Sequence, residues 1–471
     1  MSRESKLAKN TVILAIGTFL PKLASFVTLP ILTGCLTRED YGIYDLIVVM
    51  CSLFLPAITL QIQTAAFRFL IDERKNRKEV NSIITNIMIF LVCVSAVGLL
   101  ILFFCLYKID MNLRLMICLY YMFDIVVNSF RQIVRGLSYN LKYSISAIIS
   151  SVFQLVLVVL LVWYQKHGLM GSMIALATAE CASAVYLLFS TKLYQYFDFK
   201  TLSLAQIKKM LAYSWPMVPN NMSMWVMRMS DRVVVTLFMG LTANAVYSVA
   251  NKIPQLLNMA QNTFAMAWQE NASIVSKDED ADRYYSDMFR TMFDCMAGLL
   301  GLIIAANPIL FLILIRGDYD GAYIHIPILL MSMFFYSMSS FLGGIYVAYM
   351  KTKSVGITTM IAAVVNIVMD MALIHFIGLF AASCSTLLSF ILLFLYRLID
   401  VKKYVKLTYD KKHIAVMILI MTAECVLVSF RSTPLDCLNA LLAIVFFFAT
   451  NRALLQAFTK KAKGILVRKH E

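Results

Sequence analysis

The sequence predicts an all-α polytopic membrane protein of about 14 transmembrane helices, two halves of six followed by two more. Three observations predict it. Of 471 residues, 61% are hydrophobic and 15% charged, and the mean hydropathy is +0.77, a balance that ordinary soluble domains do not reach. The apolar residues come in runs of about 20 or more, enough at 1.5 Å per residue to cross a hydrocarbon core of roughly 30 Å. The chain also echoes itself half-way. Its first run carries Pro21, Lys22 and Pro30 and leaves through LTREDYGIYDL (36–46); its seventh carries Pro216, Pro219, Asn220, Asn221, Arg228, Asp231 and Arg232 and leaves through LTANAVYSV (241–249). Each exit places a Leu-Thr, a short polar turn and an aliphatic-Tyr pair, Ile43-Tyr44 and Val246-Tyr247.

Taken in order, residues near 10–34, 42–67, 81–107, 111–134, 143–164 and 168–190 form the first six spans. A polar link follows (191–210), in which Ser203 and Gln206 have capping-box spacing and predict a short helix lying at the membrane interface. The second six lie near 211–239, 244–269, 287–315, 323–350, 354–376 and 377–398. Two more runs, 413–430 and 434–456, precede a basic tail. The expected domains are a first lobe (1–190), a cytoplasmic linker (191–210), a second lobe (211–400) and a last helix pair with its tail (401–471).

The placement of Lys and Arg tests this count, because a missed span would invert every later loop. The side shared with the N-terminus collects Arg74, Lys75, Arg77 and Lys78, then Arg131 and Arg135, and later Arg397, Lys402, Lys403 and Lys406. The opposite side has only Arg38, Lys108, Arg114, Lys166, Arg316 and Arg431. Both termini are therefore expected in the cytoplasm. The net charge of +15 is absorbed by this bias, so the partner is the lipid bilayer and no nucleic acid. The N-terminal apolar run is too long for a signal h-region, and no cleavable signal is expected.

Four cations remain inside spans: Lys22, Arg228, Arg232 and Lys252. Charges at such depth are costly and mark either a functional contact or a pair. Lys22 has no acid three or four residues away and reads as facing a cavity or a partner on another helix. Arg228 and Arg232 share a helical face, with Asp231 between them as a structural partner or an ion-coupling group. Lys252 enters the eighth span at a similar depth. Asp124, Glu180, Asp294 and Asp370 are further acids in or near the membrane that could relay a proton or sodium ion or simply be paired. Pro216, Pro219, Asn220 and Asn221 would break or kink the seventh helix, exposing backbone to a water-filled cavity. Proline-interrupted spans in corresponding positions of two halves point to a transporter's central site.

Enzyme motifs are missing. There is no GxxxxGK[ST] loop, HExxH or GxSxG, the five histidines are scattered, and the ten cysteines lie singly, so no metal, disulfide or catalytic residue is expected. A membrane polymerase or ligase joining sugars is the enzyme rival, and the short outer loops count against it.

The first span with Pro21-Lys22 and LPILTGCLTREDYGIYDL (29–46) resembles the opening of Wzx-type polysaccharide flippases, within the multidrug/oligosaccharidyl-lipid/polysaccharide exporter superfamily. IVRGLSYNLKYSI (133–145), the block YSWPMVPNNMSMWVMRMSDRVVVTLFMG from Tyr213, VYSVANKIPQLL from Val246 and NPILFLILIRGDYDGAYIHIPILLMS from Asn307 are similar to the same family. The resemblance implies two six-helix lobes of MATE/MurJ-like fold plus two C-terminal helices. It implies alternating access in a bacterial plasma membrane, moving a lipid-linked oligosaccharide for O-antigen- or capsule-like polysaccharide. Basic residues lining the cavity are implied to receive the diphosphate or acidic sugars; Lys22 matches the first-helix basic position, and Asp231, Arg232 and Lys252 match residues common in the seventh and eighth helices. Ala245 departs from the glycine usual in the second-half turn. Other polysaccharide assembly proteins are implied partners. A cation-coupled multidrug exporter and a peptidoglycan-precursor flippase remain alternatives of the same fold.

Overall fold

The computed structural model describes residues 3–276 and 278–452. It is 86% helix, with no strand among the described residues. The helices fall into two compact units divided between Met229 and Ser230. The first holds α1 (Arg3–Cys35), α2 (Arg38–Thr59), α3 (Ile62–Glu73), α4 (Arg77–Cys105), α5 (Met111–Gly136), α6 (Asn140–Leu157), α7 (Gly168–Ser190), α8 (Leu204–Ser214) and the first half of α9 (Met217–Met239). The second holds the rest of α9 with α10 (Leu241–Ala250), α11 (Gln255–Val275), α12 (Ala281–Leu314), α13 (His325–Ala348), α14 (Thr352–Ile377), α15 (Phe380–Asp400), α16 (Lys411–Ser429) and α17 (Thr433–Thr450). The expected basic tail beyond residue 452 lies outside the described residues.

Among the described residues, 11 helices are long and apolar enough to cross a bilayer. Of the expected runs, the first, seventh and eighth fall short. In α1 the stretch Phe19–Cys35 is apolar and continues the apolar sequence TVILAIGT (11–18), α9 is diluted by its Asn, Arg and Asp, and the eighth run is cut in two.

Two runs expected to be continuous are interrupted. Between α2 and α3, Leu60 and Gln61 take left-handed backbone, with φ of 49° and 57°. The Thr59 hydroxyl donates back to the Leu55 carbonyl at 2.7 Å and accepts from Gln61 N at 3.3 Å, a local closure that competes with the helical ladder. In the second unit the break is Asn251–Pro254, because Pro254 has no N–H to continue α10 and instead starts α11. The prolines of the seventh run (211–239) interrupt it near its start, at Trp215–Pro216. Pro216 precedes α9 and Pro219 lies in its first turn, where an N–H would be unpaired anyway, so α9 runs unbroken from Met217 to Met239. They set the joint between α8 and α9. Likewise α1 is helical straight through Pro21 and Pro30. The side chain of Asn220 lies outside the described residues, and Asn221 is half-buried within α9.

The linker helix α8 forms as its sequence predicts. Ser203 Oγ accepts from Gln206 N at 3.3 Å. The other half of the capping box is diverted: Gln206 Oε1 accepts from Asn86 Nδ2 at 2.9 Å, and Asn86 Oδ1 accepts from Ser203 N at 2.8 Å, which ties the linker to α4.

Burial separates the helices that face lipid from those that organise each unit. Only 11% of the apolar stretch of α4 is buried, against 78% for α13. Lipid tails are as apolar as leucine, so an enclosed helix needs close packing, and α13 supplies small residues for it: Ser332, Ser337, Ser339, Gly343 and Gly344 are all buried. Against it the Trp268 ring of α11 stacks on Phe341 at 4.2 Å, and its Nε1 donates to the Phe341 carbonyl at 2.9 Å.

Candidate functional site

Among the described residues, three gatherings of polar side chains inside the membrane take in most of the predicted residues. The first lies on α1 and α9 within the first unit. Lys22 and Arg228, both exposed, stand close enough for their charges to act on each other. Nearby on α9, Trp225 Nε1 donates to the Val49 carbonyl at 3.1 Å and to Ser52 Oγ at 3.0 Å, fixing α9 against α2. Two like charges repel, so the arrangement gains most when an anion lies against both.

The second gathering is in the second unit, around Asp231. This residue is 5% exposed, and its Oδ2 accepts from the Tyr247 hydroxyl of α10 at 2.8 Å and from the Thr386 hydroxyl of α15. Its Oδ1 accepts from Asn366 of α14 at 2.7 Å, with the amide turned so that its oxygen meets Thr386 N at 3.2 Å; that orientation satisfies both ends. Asp370, one turn further along α14, is fully buried, both its oxygens lack a partner, and the Asp231 charge acts on it. Arg232, 6% exposed, is the cation that acts on Asp231. Lys252 sits half-buried in the turn between α10 and α11.

The third is in the first unit. Asp124 of α5 accepts from Asn128 Nδ2 at 3.0 Å and lies 3.5 Å from the Cys51 thiol of α2. Glu180 of α7 accepts from Ser150 Oγ at 2.8 Å, and its other oxygen is 3.6 Å from an Arg131 nitrogen. The Asp124 and Glu180 charges act on each other. Arg131 also donates to Ser183 Oγ at 3.2 Å.

Two loop assignments need correction here. Arg131 and Arg397 are not loop cations. Arg131 is half-buried among α5, α6 and α7, and Arg397 is 4% exposed, donating to the Ser339 carbonyl at 2.8 Å and to Thr359 Oγ1 at 2.9 Å. Charge alone cannot separate a snorkelling arginine from one whose donors are spent on neighbouring helices. Asn366 and Thr386 went unmarked because one amide and one hydroxyl in apolar helices carry no spacing signal. Asp294, expected near the interface, meets His413 Nε2 at 2.6 Å.

Residues 7–269 match the model of the polysaccharide biosynthesis protein family. The chain belongs to that family. No curated protein matches it in sequence. Among solved structures it is similar to the lipid II flippase MurJ in an inward closed conformation, with a TM-score of 0.70 and 16% identity over 94% of this chain and 100% of that one. It is also similar to an inward-facing multidrug resistance MATE family transporter of the MOP superfamily, with a TM-score of 0.67 and 11% identity over 83% and 98%. A third is a MOP superfamily transporter from Pyrococcus furiosus described as having a binding pocket of reverse polarity, with a TM-score of 0.57 and 14% identity over 84% and 95%. At these identities the likeness is one of fold. This member of the polysaccharide biosynthesis family is thus a multi-pass membrane protein of the MurJ/MATE fold.

Proposed function

We propose that this protein flips lipid-linked (polyprenyl-diphosphate) oligosaccharide repeat units across the bacterial plasma membrane, for the synthesis of a cell-surface polysaccharide. The observation that carries the reading is Lys22 beside Arg228. Moving a diphosphate into hydrocarbon costs tens of kcal/mol on idealised, order-of-magnitude grounds. Two neighbouring cations in a hydrated path lower that barrier, while the prenyl tail stays in lipid. Family membership supports a polysaccharide setting, in which other assembly proteins would make the substrate and consume it. No bond is made or broken in this scheme, so the protein is not an enzyme. Both termini face the cytoplasm.

Coupling would fall to the second gathering. Asp231 and Asp370 are two buried carboxyl groups whose charges act on each other, and the Arg232 guanidinium acts on the first of them. A proton or a sodium ion offsets the excess negative charge, with the Thr386 hydroxyl as an additional oxygen donor. A cation-coupled multidrug exporter would use the same carboxylates; it would not need Lys22 and Arg228 together.

The test is the sidedness of lipid-linked glycan in cells depleted of the protein, with sugars labelled at the outer face and the total lipid pool extracted in parallel. The expected result is a total pool that persists or rises while its outward-facing fraction disappears. If single repeat units reach the outer face normally and only longer chains vanish, the protein is a polymerase or ligase. If the lipid-linked peptidoglycan precursor is the species stranded inside, the substrate assignment is wrong and the flipping reading stands.

A further inference from the structure

The helix pair that follows the second six spans holds a buried carboxyl group outside the three gatherings, that of Glu424. Glu424 lies 13 residues after Lys411, roughly 20 Å along α16. It is 1% exposed, and neither of its oxygens has a hydrogen-bond partner. Its site is shaped for it. On α12 the carboxyl rests against Gly301, where an added Cβ would come within 2.8 Å of Oε2 and 3.1 Å of Oε1. On α17, Asn439 is fully buried, donates to the Glu424 carbonyl at 3.4 Å and keeps its own Oδ1 without a donor.

The junction therefore gathers three acceptor oxygens and supplies no proton to them. The ionisable groups around it do not supply one either. On α12, Asp294 is seven residues from Gly301 and is engaged with His413. On α13, His325 Nδ1 meets Ser383 at 2.9 Å. Asp436 lies in the first turn of α17, and Cys425, beside Glu424 on α16, turns its thiol to the Pro327 carbonyl. Beyond the helix end Arg431 pairs with Asp320 at 3.0 Å. Among the described residues no cation faces the Glu424 oxygens. A carboxylate buried in a membrane without a partner is costly enough that it neutralises or leaves.

We propose that Glu424 is a proton-binding site of the C-terminal helix pair: docked against Gly301 as the neutral acid, it holds α16 and α17 to α12, and its ionisation loosens that contact. The ligand is a proton, because three oxygens fall short of the coordination shell of a metal cation. The inference is independent of what the protein transports.

The experiment uses the full-length protein in lipid nanodiscs across pH 5 to 9. The probe is dicyclohexylcarbodiimide, an apolar reagent for protonated carboxyl groups, located by mass spectrometry. Hydrogen exchange of the α16 and α17 peptides is compared, at each pH, with that of Glu424→Gln, which copies the neutral acid. Labelling at Glu424 is expected at low pH and is expected to fall as pH rises. Protection of α16 and α17 should fall with it in the wild type and hold in Glu424→Gln. Gly301→Ala, which crowds the carboxyl, should loosen the pair even at low pH. Absence of label at pH 5 overturns the proposal, and so does label that does not change with pH. Wild-type and Gln proteins with the same protection at every pH would reduce Glu424 to a packing residue and overturn it as well.

Discussion

The Arg228 charge acts against that of Lys22, which gives Lys22 a signature that a structural residue lacks. Lys22→Ala removes that repulsion, so its melting temperature should equal or exceed the wild type while translocation falls about tenfold or more, the equivalent of about 1.4 kcal/mol of lost interaction with the head group. Lys22→Arg keeps the charge and should keep most of the activity. Both are read by outer-face glycan labelling and thermal unfolding at equal expression, and an Ala variant with full activity removes Lys22 from the site. The two aspartates of the second unit should behave in opposite ways. Asp231 is the acceptor for Tyr247, Thr386 and Asn366; Thr386 can turn to the Ala382 carbonyl at 2.8 Å, but Asp231→Ala takes the acceptor from Asn366 and the shorter bond from Tyr247, at about 1–3 kcal/mol for each buried donor left unmet. Asp370 has no hydrogen-bond partner to lose. Asp370→Asn should therefore unfold no earlier than the wild type, yet lose the dependence of transport on the proton or sodium gradient. An unchanged ion dependence in that variant would take Asp370 out of the coupling.

The interrupted helices show what a sequence of this kind does and does not make legible. Ser203 and Gln206 announced α8 because an N-cap is a contact between neighbours in the chain, and its Oγ bond forms as the spacing requires. The break at Leu60 and Gln61 was hidden: neither is a glycine, and Thr59's bond back to Leu55 is a weak local signal inside a strongly apolar run. Pro254 was visible, yet a hydropathy average runs straight across it. The tyrosine echo carried more than it promised. Tyr247 meets Asp231, while Tyr44, its counterpart in the first half, accepts from Gln154 at 3.3 Å. What the sequence could not give is partnership over distance: Thr386 is 155 residues from Asp231, and Arg397 reads the same on paper whether snorkelling or buried. Helix packing offers its own test. A Cβ on Gly344 would lie 2.5 Å from Trp268 Nε1 and 2.7 Å from Cδ1. Gly344→Leu should push the indole off Phe341, cost about 1–3 kcal/mol by overpacking, and shift tryptophan fluorescence to the red. An unchanged spectrum would mean that α13 yields instead of the ring.

At the scale of the whole molecule, sidedness rests on a chain of parity. Each crossing reverses the side, so the basic clusters Arg74 to Lys78 and Lys402 to Lys406 can share a face, as the positive-inside rule expects, only if an even number of crossings separates them. The short α3 and the divided pair α10 and α11 are where such a count is most easily lost, because either could be taken for an additional crossing. Native cysteines can check the start of the count at positions where no reporter need be added. Cys35 ends α1 and Cys105 ends α4, and both are exposed. With a cytoplasmic N-terminus, one crossing precedes Cys35 and three precede Cys105, which puts both on the outer face. Variants keeping only Cys35 or only Cys105 should react with a membrane-impermeant maleimide added outside intact protoplasts, and pretreatment with the reagent should block later labelling in lysates. Reaction of both from the inside alone would invert the whole molecule. Reaction of one from each side would mean that α2 and α3 together cross twice, which would reassign every later loop and move the Lys402 to Lys406 cluster to the outer face.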